Sequence, residues 1–562
     1  MGYVLGLGGA YHHDASACLV ADGQVIAFAE EERFSRIKHH RDSRSAAGSA
    51  AWCLHHAGIG WAEVDEVAVA WNPYWPNYCD HTDDVDLITE LIGPDAGPDR
   101  PHRLTVVGHH LAHAASAFYP AGLTDAAVVV VDGSGDGVST TIHHGTRAGL
   151  RTVREFPFTQ SLGWFYQFAT EHAGLGDWTN AGKLMGLAAY GRPVIDLDFL
   201  YPTSFGYHLD LTRYGLAPDA DETARYRNFS YYHDLRRAYG KAFTDAGIPA
   251  QPKGADAPRS LAAALAASAQ LLLQRCLISV VATALEETGA SALCLAGGVA
   301  LNCTTNGILA RTPDIETLFV QPAASDAGCA LGAALEVAHR RGEHTVPGPR
   351  QTQALLGPAY DNHAIETALH AAGADYTTPG DIALAAARLL ADGKVIGWHQ
   401  GRAEAGPRAL GARSILADPR STALRDRVNR DIKHRELWRP LAPSMLDLGS
   451  WTSTPDGPAE FMVVAHNATP QARQQIPAVV HVDGTLRPQR VDPDLQPAYA
   501  RLLHGFAVET DIDCVLNTSF NGPGEPIVGS PADALRSGAR LGLDAIVIGD
   551  YLIDTPQSST LR

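Results

Sequence analysis

The chain has no C-x-x-C pair, no run of about 18 apolar residues, and too few cations to balance its acids. Its eight cysteines, Cys18, Cys53, Cys79, Cys276, Cys294, Cys303, Cys329 and Cys514, are scattered through apolar stretches and read as reduced, mostly buried thiols. The missing apolar run predicts no membrane-spanning helix. Lys and Arg total 44 against 62 Asp and Glu, a net charge of −18 that repels phosphate backbones and disfavours general nucleic-acid binding. The N-terminus, MGYVLGLGGAYHHDAS, lacks the basic and apolar regions of a signal peptide, so a cytoplasmic location is expected. Two nucleotide motifs are also missing. Gly176 and Gly182 stand one residue too far apart for the phosphate-binding loop that Gly182-Lys183 superficially suggests, and Leu184 replaces its Ser or Thr. Gly6-Leu-Gly8-Gly9 lacks the G-x-G-x-x-G spacing of a dinucleotide site.

What is present is globular composition, 45% hydrophobic and 19% charged over 562 residues, enough for two or three domains and too apolar for disorder. Tyr3–Leu7, Ala15–Val20 and Val25–Ala29 read as strands, the last two joined by a hairpin turn at Ala21-Asp22-Gly23. Residues 126–142 repeat the idea: an apolar run Ala126–Val131, an acidic glycine turn over 132–137, and a return strand Val138–Ile142. Ala292–Ala296 runs into Gly297-Gly298, and Thr317–Gln321 runs through a turn holding Asp326 into a helix Ala330–Arg340. Apolar strands ending in Gly and Asp turns predict buried sheets with ligand loops at their ends. The Ala- and Leu-rich stretch 255–290 places Leu261, Leu265, Ala269, Leu272 and Cys276 on one face of a core helix. Linker composition, polar with two prolines, predicts a domain boundary near 341–358.

Chemistry concentrates in a few places. His109 and His113 are four apart in a helix-compatible stretch ended by Pro120, a spacing that lets two imidazoles reach one metal ion. Asp132 and Asp326, in two acidic turns, could complete a site whose nitrogen and oxygen donors suit Fe, Zn or Mn. His13-Asp14-Ala-Ser16 lies at a strand end; it reads either as an Asp-stabilised turn or as a general base or anion ligand, with Asp14 a turn stabiliser rather than a partner of His13, because adjacent side chains in extended backbone point to opposite faces. Residues 401–440 hold ten Lys and Arg against five Asp and Glu, a local excess of five cations in an acidic chain. Arg408 and Arg439 there are locked among Gly and Pro, as a rigid oxyanion site requires. Leu516 to Pro526, LNTSFNGPGEP, offers polar donors on a turn that could complete the same pocket.

In their order, the stretches HDAS, EERFSRIKH, HHLAHAASAF, VVDGSGDG, GKLMGLAAYG, AGGVALN, GRAEAGPRALGARSIL, NRDIKHRELWRPLAPS, HVDGTLRPQ and LNTSFNGPGEPIV resemble the antibiotic O-carbamoyltransferase family, which includes tobramycin, nodulation and cephamycin relatives. The resemblance implies an α/β protein of two parts. Residues 1–342 would form a TsaD-like domain of the actin and sugar-kinase superfamily. A linker, 343–356, would lead to a YrdC-like domain over 357–562 with a twisted mixed sheet. The second domain would make carbamoyl adenylate from carbamoyl phosphate and ATP, with Mg2+ accompanying ATP. The first would move the carbamoyl group to a hydroxyl of a secondary metabolite and release AMP.

Residue by residue, the resemblance implies His109, His113, Asp132 and Asp326 as metal ligands, with iron the usual occupant and Zn2+ or Mn2+ alternatives. It implies Lys38, Gly133, Lys183, Gly297, Gly298 and Asn302 around the carbamoyl adenylate. His13 would be the base that activates the acceptor, with His12 the rival. Arg408, Lys433, Arg439, Arg487, Asn517, Ser519 and Asn521 would hold ATP and carbamoyl phosphate. Tyr11 and the stretch WNPYWPN from Trp71 are aromatic and read equally as acceptor-pocket or packing residues. A threonylcarbamoyl-type tRNA modifier would share both folds, but the net charge of −18 argues against a tRNA acceptor. An actin-like ATPase switch would need no oxyanion pocket in the second part.

Overall fold

Two sheets repeat one topology. In the first, β1 (Tyr3–Gly8), β2 (Ser16–Ala21) and β3 (Gln24–Glu30) form an antiparallel meander, and β4 (Glu66–Val69) and β5 (Leu104–Val106) continue parallel to β1, giving the order β3-β2-β1-β4-β5. In the second, β6 (Asp125–Gly135), β7 (Val138–Thr146) and β8 (Gly149–Pro157) form the meander, and β11 (Ala292–Ala296) and β12 (Thr317–Val320) extend it, giving β12-β11-β6-β7-β8. This is the duplicated α/β core expected of the actin and sugar-kinase superfamily. A small hairpin of β9 (Leu200–Thr203) and β10 (Gly206–Leu209) is inserted between the two parts of the second sheet.

The C-terminal half is the expected mixed sheet with helices. Its seven strands are β13 (Ile396–His399), β14 (Arg413–Ala417), β15 (Ala442–Met445), β18 (Gln489–Arg490), β19 (Cys514–Ser519), β20 (Ala545–Ile548) and β21 (Tyr551–Asp554), in the order β18-β15-β19-β14-β13-β20-β21. A two-stranded sheet of β16 (His466–Asn467) and β17 (Thr485–Leu486) accompanies it. The structure is a computed structural model and describes the chain apart from residues 1, 10–12, 42, 44, 73–83, 94–102, 217–229, 253–259, 455 and 555–562. Tyr11, His12 and most of WNPYWPN therefore lie outside the described residues.

Three local readings change. The acidic turn of β6 and β7 is shorter than expected: β6 runs on to Gly135, with a register irregularity after Val131, and only Asp136 (φ +49°) and Gly137 (φ +86°) make the turn, both left-handed as a tight hairpin requires. Leu516–Ser519 belong to β19, so the polar turn begins only at Phe520. The helix Leu261–Thr288 is capped by Ser260 and buries Leu265, Ala269 and Cys276, but Leu261 in its first turn is 47% exposed. By length and composition this helix is apolar enough to cross a membrane, but most of its apolar window is buried in the fold, as in the core helix that the sequence predicts.

The halves are joined through apolar and polar contacts. Trp438 and Phe461 to Val464, from the C-terminal half, belong to the N-terminal core. The 343–356 segment is tied to the N-terminal half, where His344 Nδ1 lies 2.7 Å from Gly23 O and Gln351 N donates to Pro120 O at 2.7 Å. At its far end Ala405 N donates to Ala354 O at 2.7 Å.

Candidate functional site

Two helices begin at the same spot. The helix His109–Phe118 packs against the helix Cys329–Arg340 so closely that a Cβ on Gly332 would meet the Ala112 carbonyl. His109 N is capped by Asp136 Oδ2 at 2.7 Å, which ties the helix start to the β6–β7 turn. Asp326 sits in the short turn Asp326–Gly328 that leads into the second helix. The result is a cluster of four donor atoms, from His109, His113, Asp132 and Asp326, all within 4.8 Å of one another. His109 Nε2 lies 3.1 Å from His113 Nε2, 3.4 Å from Asp132 Oδ2 and 3.6 Å from Asp326 Oδ1. His113 Nε2 lies 3.7 Å from Asp132 Oδ2 and 3.6 Å from Asp326 Oδ1. Four ligands about 2.1 Å from a common tetrahedral centre would be about 3.4 Å apart, so these separations are ones that a first-row divalent ion could bridge. Cys329 also lies near both imidazoles, but burial holds its thiol well above the ordinary value. Burial lowers the His109 pKa, yet the Asp326 and Asp132 carboxylates outweigh it and raise it to about 9. Burial pushes the Asp132 carboxyl up, but its bonds with both histidines hold it well below the usual range.

His13 stands beside this cluster. Its Nδ1 is 3.4 Å from Asp14 Oδ2 and 3.8 Å from Asp326 Oδ2. Burial alone would depress its pKa, but the adjoining Asp14 and the charges of Asp326 and Asp132 raise it to about 9, not the ordinary 6.5. Asp14 also takes a hydrogen bond from His39 Nδ1 at 2.7 Å, and the Trp178 ring lies 4.9 Å from the ring centres of both histidines.

A second cluster lies in the C-terminal half. Burial lowers the pKa values of Arg408, Arg435, Arg439, Arg487 and Lys433 first; the Arg487 charge then lowers those of Arg408, Arg435 and Arg439, and Arg435, Arg439 and Lys38, the last from the N-terminal half, lower that of Lys433. Arg408 and Arg435 are each brought down to about 9. Arg408 Nε and Arg487 Nη1 are buried without a hydrogen-bond partner. Among the described residues, Glu436 is the one carboxylate in ion-pair range of the four guanidinium groups, 3.7 Å from Arg439, and it also holds Lys183 at 3.2 Å. So many buried cations with so little compensation could accommodate a multiply charged anion.

The EERFSRIKH stretch bridges the halves. Arg36 donates to Ile527 O at 2.7 Å and Pro526 O at 3.1 Å, and lies 3.4 Å from Asp533. Arg33 donates to Gly406 O at 3.2 Å.

A carbamoyltransferase N-terminus model matches residues 3–82 and 98–335, and a carbamoyltransferase C-terminus model matches residues 387–555. The chain belongs to the carbamoyltransferase family. Nodulation protein NolNO of Sinorhizobium fredii is 37% identical, over 98% of this chain and 80% of that protein. Uncharacterized protein sll1178 of Synechocystis sp. is 36% identical, over 98% of this chain and 97% of that protein. Nodulation protein NolO of Bradyrhizobium diazoefficiens is 38% identical, over 80% of this chain and 78% of that protein. Among solved structures, the (R)-2-hydroxyglutaryl-CoA dehydratase component A of Acidaminococcus fermentans aligns at a TM-score of 0.34 and 12% identity, over 61% of this chain and 100% of that one, a score too low to support an argument.

Within this carbamoyltransferase the expected site residues fall into distinct places. Gly298 N donates to Asp132 Oδ1 at 3.0 Å, so the Gly297-Gly298 loop and the His/Asp cluster share a carboxylate. Gly133 packs near the Trp164 ring. Asn302 is buried and fully engaged, capping its helix through Thr305 N and exchanging bonds with Gln270. Lys183 faces Glu436 across the halves. Lys433 is spent on its own domain: Nζ donates to Ser519 O at 2.8 Å, and to Asn521 O and Oδ1 at 2.7 Å each. Asn517 donates to Ala409 O and Ser444 Oγ. Sequence reasoning passed over Arg435, His39 and Trp178, and it took Asp14 for a turn residue facing away from His13. That expectation assumed extended backbone; Asp14 has φ +56°, which brings its carboxylate round to the imidazole.

Proposed function

We propose that this carbamoyltransferase is an ATP-dependent O-carbamoyltransferase that builds carbamoyl adenylate in its C-terminal half and spends it in its N-terminal half. The observation that carries the reading is the pairing, in one chain, of an uncompensated guanidinium cluster with a compact His/Asp cluster flanked by His13. Carbamoyl phosphate and water give carbamate and phosphate. Carbamate attacks the α-phosphorus of ATP, pyrophosphate leaves, and carbamoyl adenylate remains. The acceptor hydroxyl then attacks the carbamoyl carbon, and AMP leaves with the electrons of the cleaved C–O bond.

Arg408, Arg435, Arg439 and Arg487 would hold the phosphates of ATP, which Mg2+ accompanies, and of carbamoyl phosphate; an oxyanion supplies the negative charge that this cluster lacks. Lys433 would set the Ser519–Asn521 turn against them. Lys38, Gly133, Lys183, Gly297, Gly298 and Asn302 would surround the adenylate at the junction. His13 would take the acceptor's proton. The donor set of His109, His113, Asp132 and Asp326 fits a divalent ion, Fe2+ by family resemblance and Zn2+ or Mn2+ by donor chemistry. Such an ion, when bound, would polarise the carbamoyl carbonyl and neutralise the carboxylates that raise the His13 pKa. The acceptor we infer is a hydroxyl of a secondary metabolite.

Incubation with carbamoyl phosphate, ATP and Mg2+ but no acceptor tests the reading. Carbamoyl adenylate and pyrophosphate should accumulate together. Neither product, at any metal loading, would refute it.

A further inference from the structure

The loop over residues 404–412, between β13 and β14, carries Arg408 at its middle. Apart from one bridge between Glu404 and Leu355 it is neither helix nor strand. Its second half is nevertheless bonded throughout: every N–H and C=O from the Ala409 carbonyl to the Arg413 amide has a partner, nearly always a side chain. One oxygen, Glu404 Oε1, accepts from Leu410 N and Ala412 N at 2.8 Å each and from Arg413 N at 3.0 Å. Gln489 and Gln496 both donate to Leu410 O, at 2.7 and 2.8 Å. Asn517 donates to Ala409 O at 3.1 Å, Trp398 Nε1 donates to Gly411 O at 2.9 Å, and Ser414 Oγ accepts from Gly411 N at 3.1 Å. Ala412 O accepts from Gln400 N at 2.8 Å and from Arg413 Nη1 at 3.1 Å. Ahead of Arg408 the loop is held by the N-terminal half. Gly406 O accepts from Arg33, and Gly406, at φ +93°, lies so near Pro322 that a Cβ would stand 2.5 Å from its carbonyl oxygen.

A buried carboxylate and buried amides are costly to place unless they are bonded, and here Glu404, Gln489 and Asn517, all buried, are bonded to one loop. The guanidinium that the loop carries is in the opposite situation. Arg408 Nε is buried without a partner, and the Arg487 charge pushes against it. On slack backbone such a group would swing towards water, which restores its hydration and relieves the repulsion. We propose that Glu404 is a positioning residue for Arg408: through Leu410, Ala412 and Arg413 it keeps the loop taut, so the guanidinium stays beside Arg487 before any anion binds. An arriving anion then meets cations already in place, and none of its binding is lost in gathering them. The inference rests on the reading of the arginine cluster as an anion site for its purpose, but its melting measurement needs no ligand.

The experiment is a double-mutant cycle on the full chain, read first by melting curves without ligand. Arg408→Gln should raise the melting temperature of wild type by roughly 2–12 °C. In a Glu404→Leu background the same change should raise it far less, because the slackened loop has already released the guanidinium; such non-additivity marks coupled residues. The second readout uses inorganic pyrophosphate as the probe. Glu404→Leu should bind it roughly 10- to 100-fold more weakly than wild type, the scale of loss for a charged group displaced by about 1 Å. Glu404→Gln keeps an acceptor oxygen for the three amides but removes the negative charge that supports buried Arg413. It should melt lower than wild type yet bind pyrophosphate almost as well, a split that a merely structural role would not give. Should Glu404→Leu fail to fold, Gln489→Met frees Leu410 O from one donor and should show the same non-additivity with Arg408→Gln. Additive melting effects, or a Glu404→Gln that binds as poorly as Glu404→Leu, overturn the inference. A wild type that binds no pyrophosphate refutes the anion-site reading instead, and the melting cycle then decides the positioning by itself.

Discussion

Replacing Arg408 by glutamine should stabilise the ligand-free protein and abolish its first reaction. The guanidinium is held at about 9 against an ordinary 12.5, with burial the first cause and the Arg487 charge the next. A shift of that size corresponds to roughly 5 kcal/mol spent keeping the charge in place, at about 1.36 kcal/mol per unit. Glutamine escapes the repulsion but still loses hydration, so the net gain expected is about 1–3 kcal/mol. Among the described residues no hydrogen bond of Arg408 is lost in exchange, and its Nε is buried without a partner. For a unit the size of the C-terminal half, such a gain raises the melting temperature by roughly 2–12 °C. The same change removes a charged partner of the bound oxyanion, a loss of about 2–5 kcal/mol, or roughly 30- to 5000-fold in adenylate formation. Melting curves without ligand and pyrophosphate release from carbamoyl phosphate and ATP read the two effects separately. Adding pyrophosphate should stabilise wild type and leave Arg408→Gln unmoved. A variant that melts lower than wild type, or that forms carbamoyl adenylate at the normal rate, would show that the cluster is not an empty anion site.

Lys433→Ala should act in the opposite sense on stability. It strips the Ser519–Asn521 turn of a charged donor with several short bonds, costing about 3–5 kcal/mol, and an unchanged melting temperature would show that the turn holds itself. His109→Ala and His113→Ala each remove one of four convergent donors. Elemental analysis should find at least about tenfold less metal in both while pyrophosphate release continues; full metal content would sink the assignment. His143, buried and bonded to Thr141 and Thr152, has its pKa lowered to about 4 by burial. The unfolded chain takes up that proton first, near 6.5, so stability is complete above that pH and falls by roughly 3 kcal/mol as pH drops from 6.5 to 4. His143→Gln should flatten this slope in urea titrations, and an identical slope in the variant would assign the acid lability elsewhere.

Much of this arrangement was legible because it is local. The paired meanders announce themselves as apolar runs ended by Asp and Gly turns, and His109 and His113 are paired by helical spacing alone. Asp132 and Asp326 could be offered from their acidic turns only as candidates, since it is the packing of two helices at Gly332 that brings the elements together. The His13 corner was misread because alternation holds only for extended backbone, and the left-handed Asp14 breaks it. Arg435 was visible only as one of ten cations in its stretch. Its significance depends on neighbours contributed by Arg487, some fifty residues away, and on burial that no pattern of charges reveals.

The arginine cluster is the strongest argument that the fold is arranged around a ligand. The chain carries 62 acidic residues against 44 basic ones, so carboxylates are in surplus. Elsewhere they find their cations: Arg427 meets Asp544 at 2.7 Å, and Arg420 meets Asp418 at 2.6 Å. Around Arg408, Arg435 and Arg487 the described residues supply no ion-pair carboxylate, and Arg439 has only Glu436, which Lys183 shares. In a protein with acids to spare, leaving these cations unpaired is a cost of placement, not of scarcity. It is repaid only when something else brings the negative charge, and an oxyanion of a phosphate ester has both the charge and the planar-fork geometry that guanidinium groups bind best. Glu436 would then have a place in the proposed reaction: it lies 3.7 Å from Arg439 and 3.2 Å from Lys183, so an anion that took over Arg439 would leave it to Lys183 of the N-terminal half.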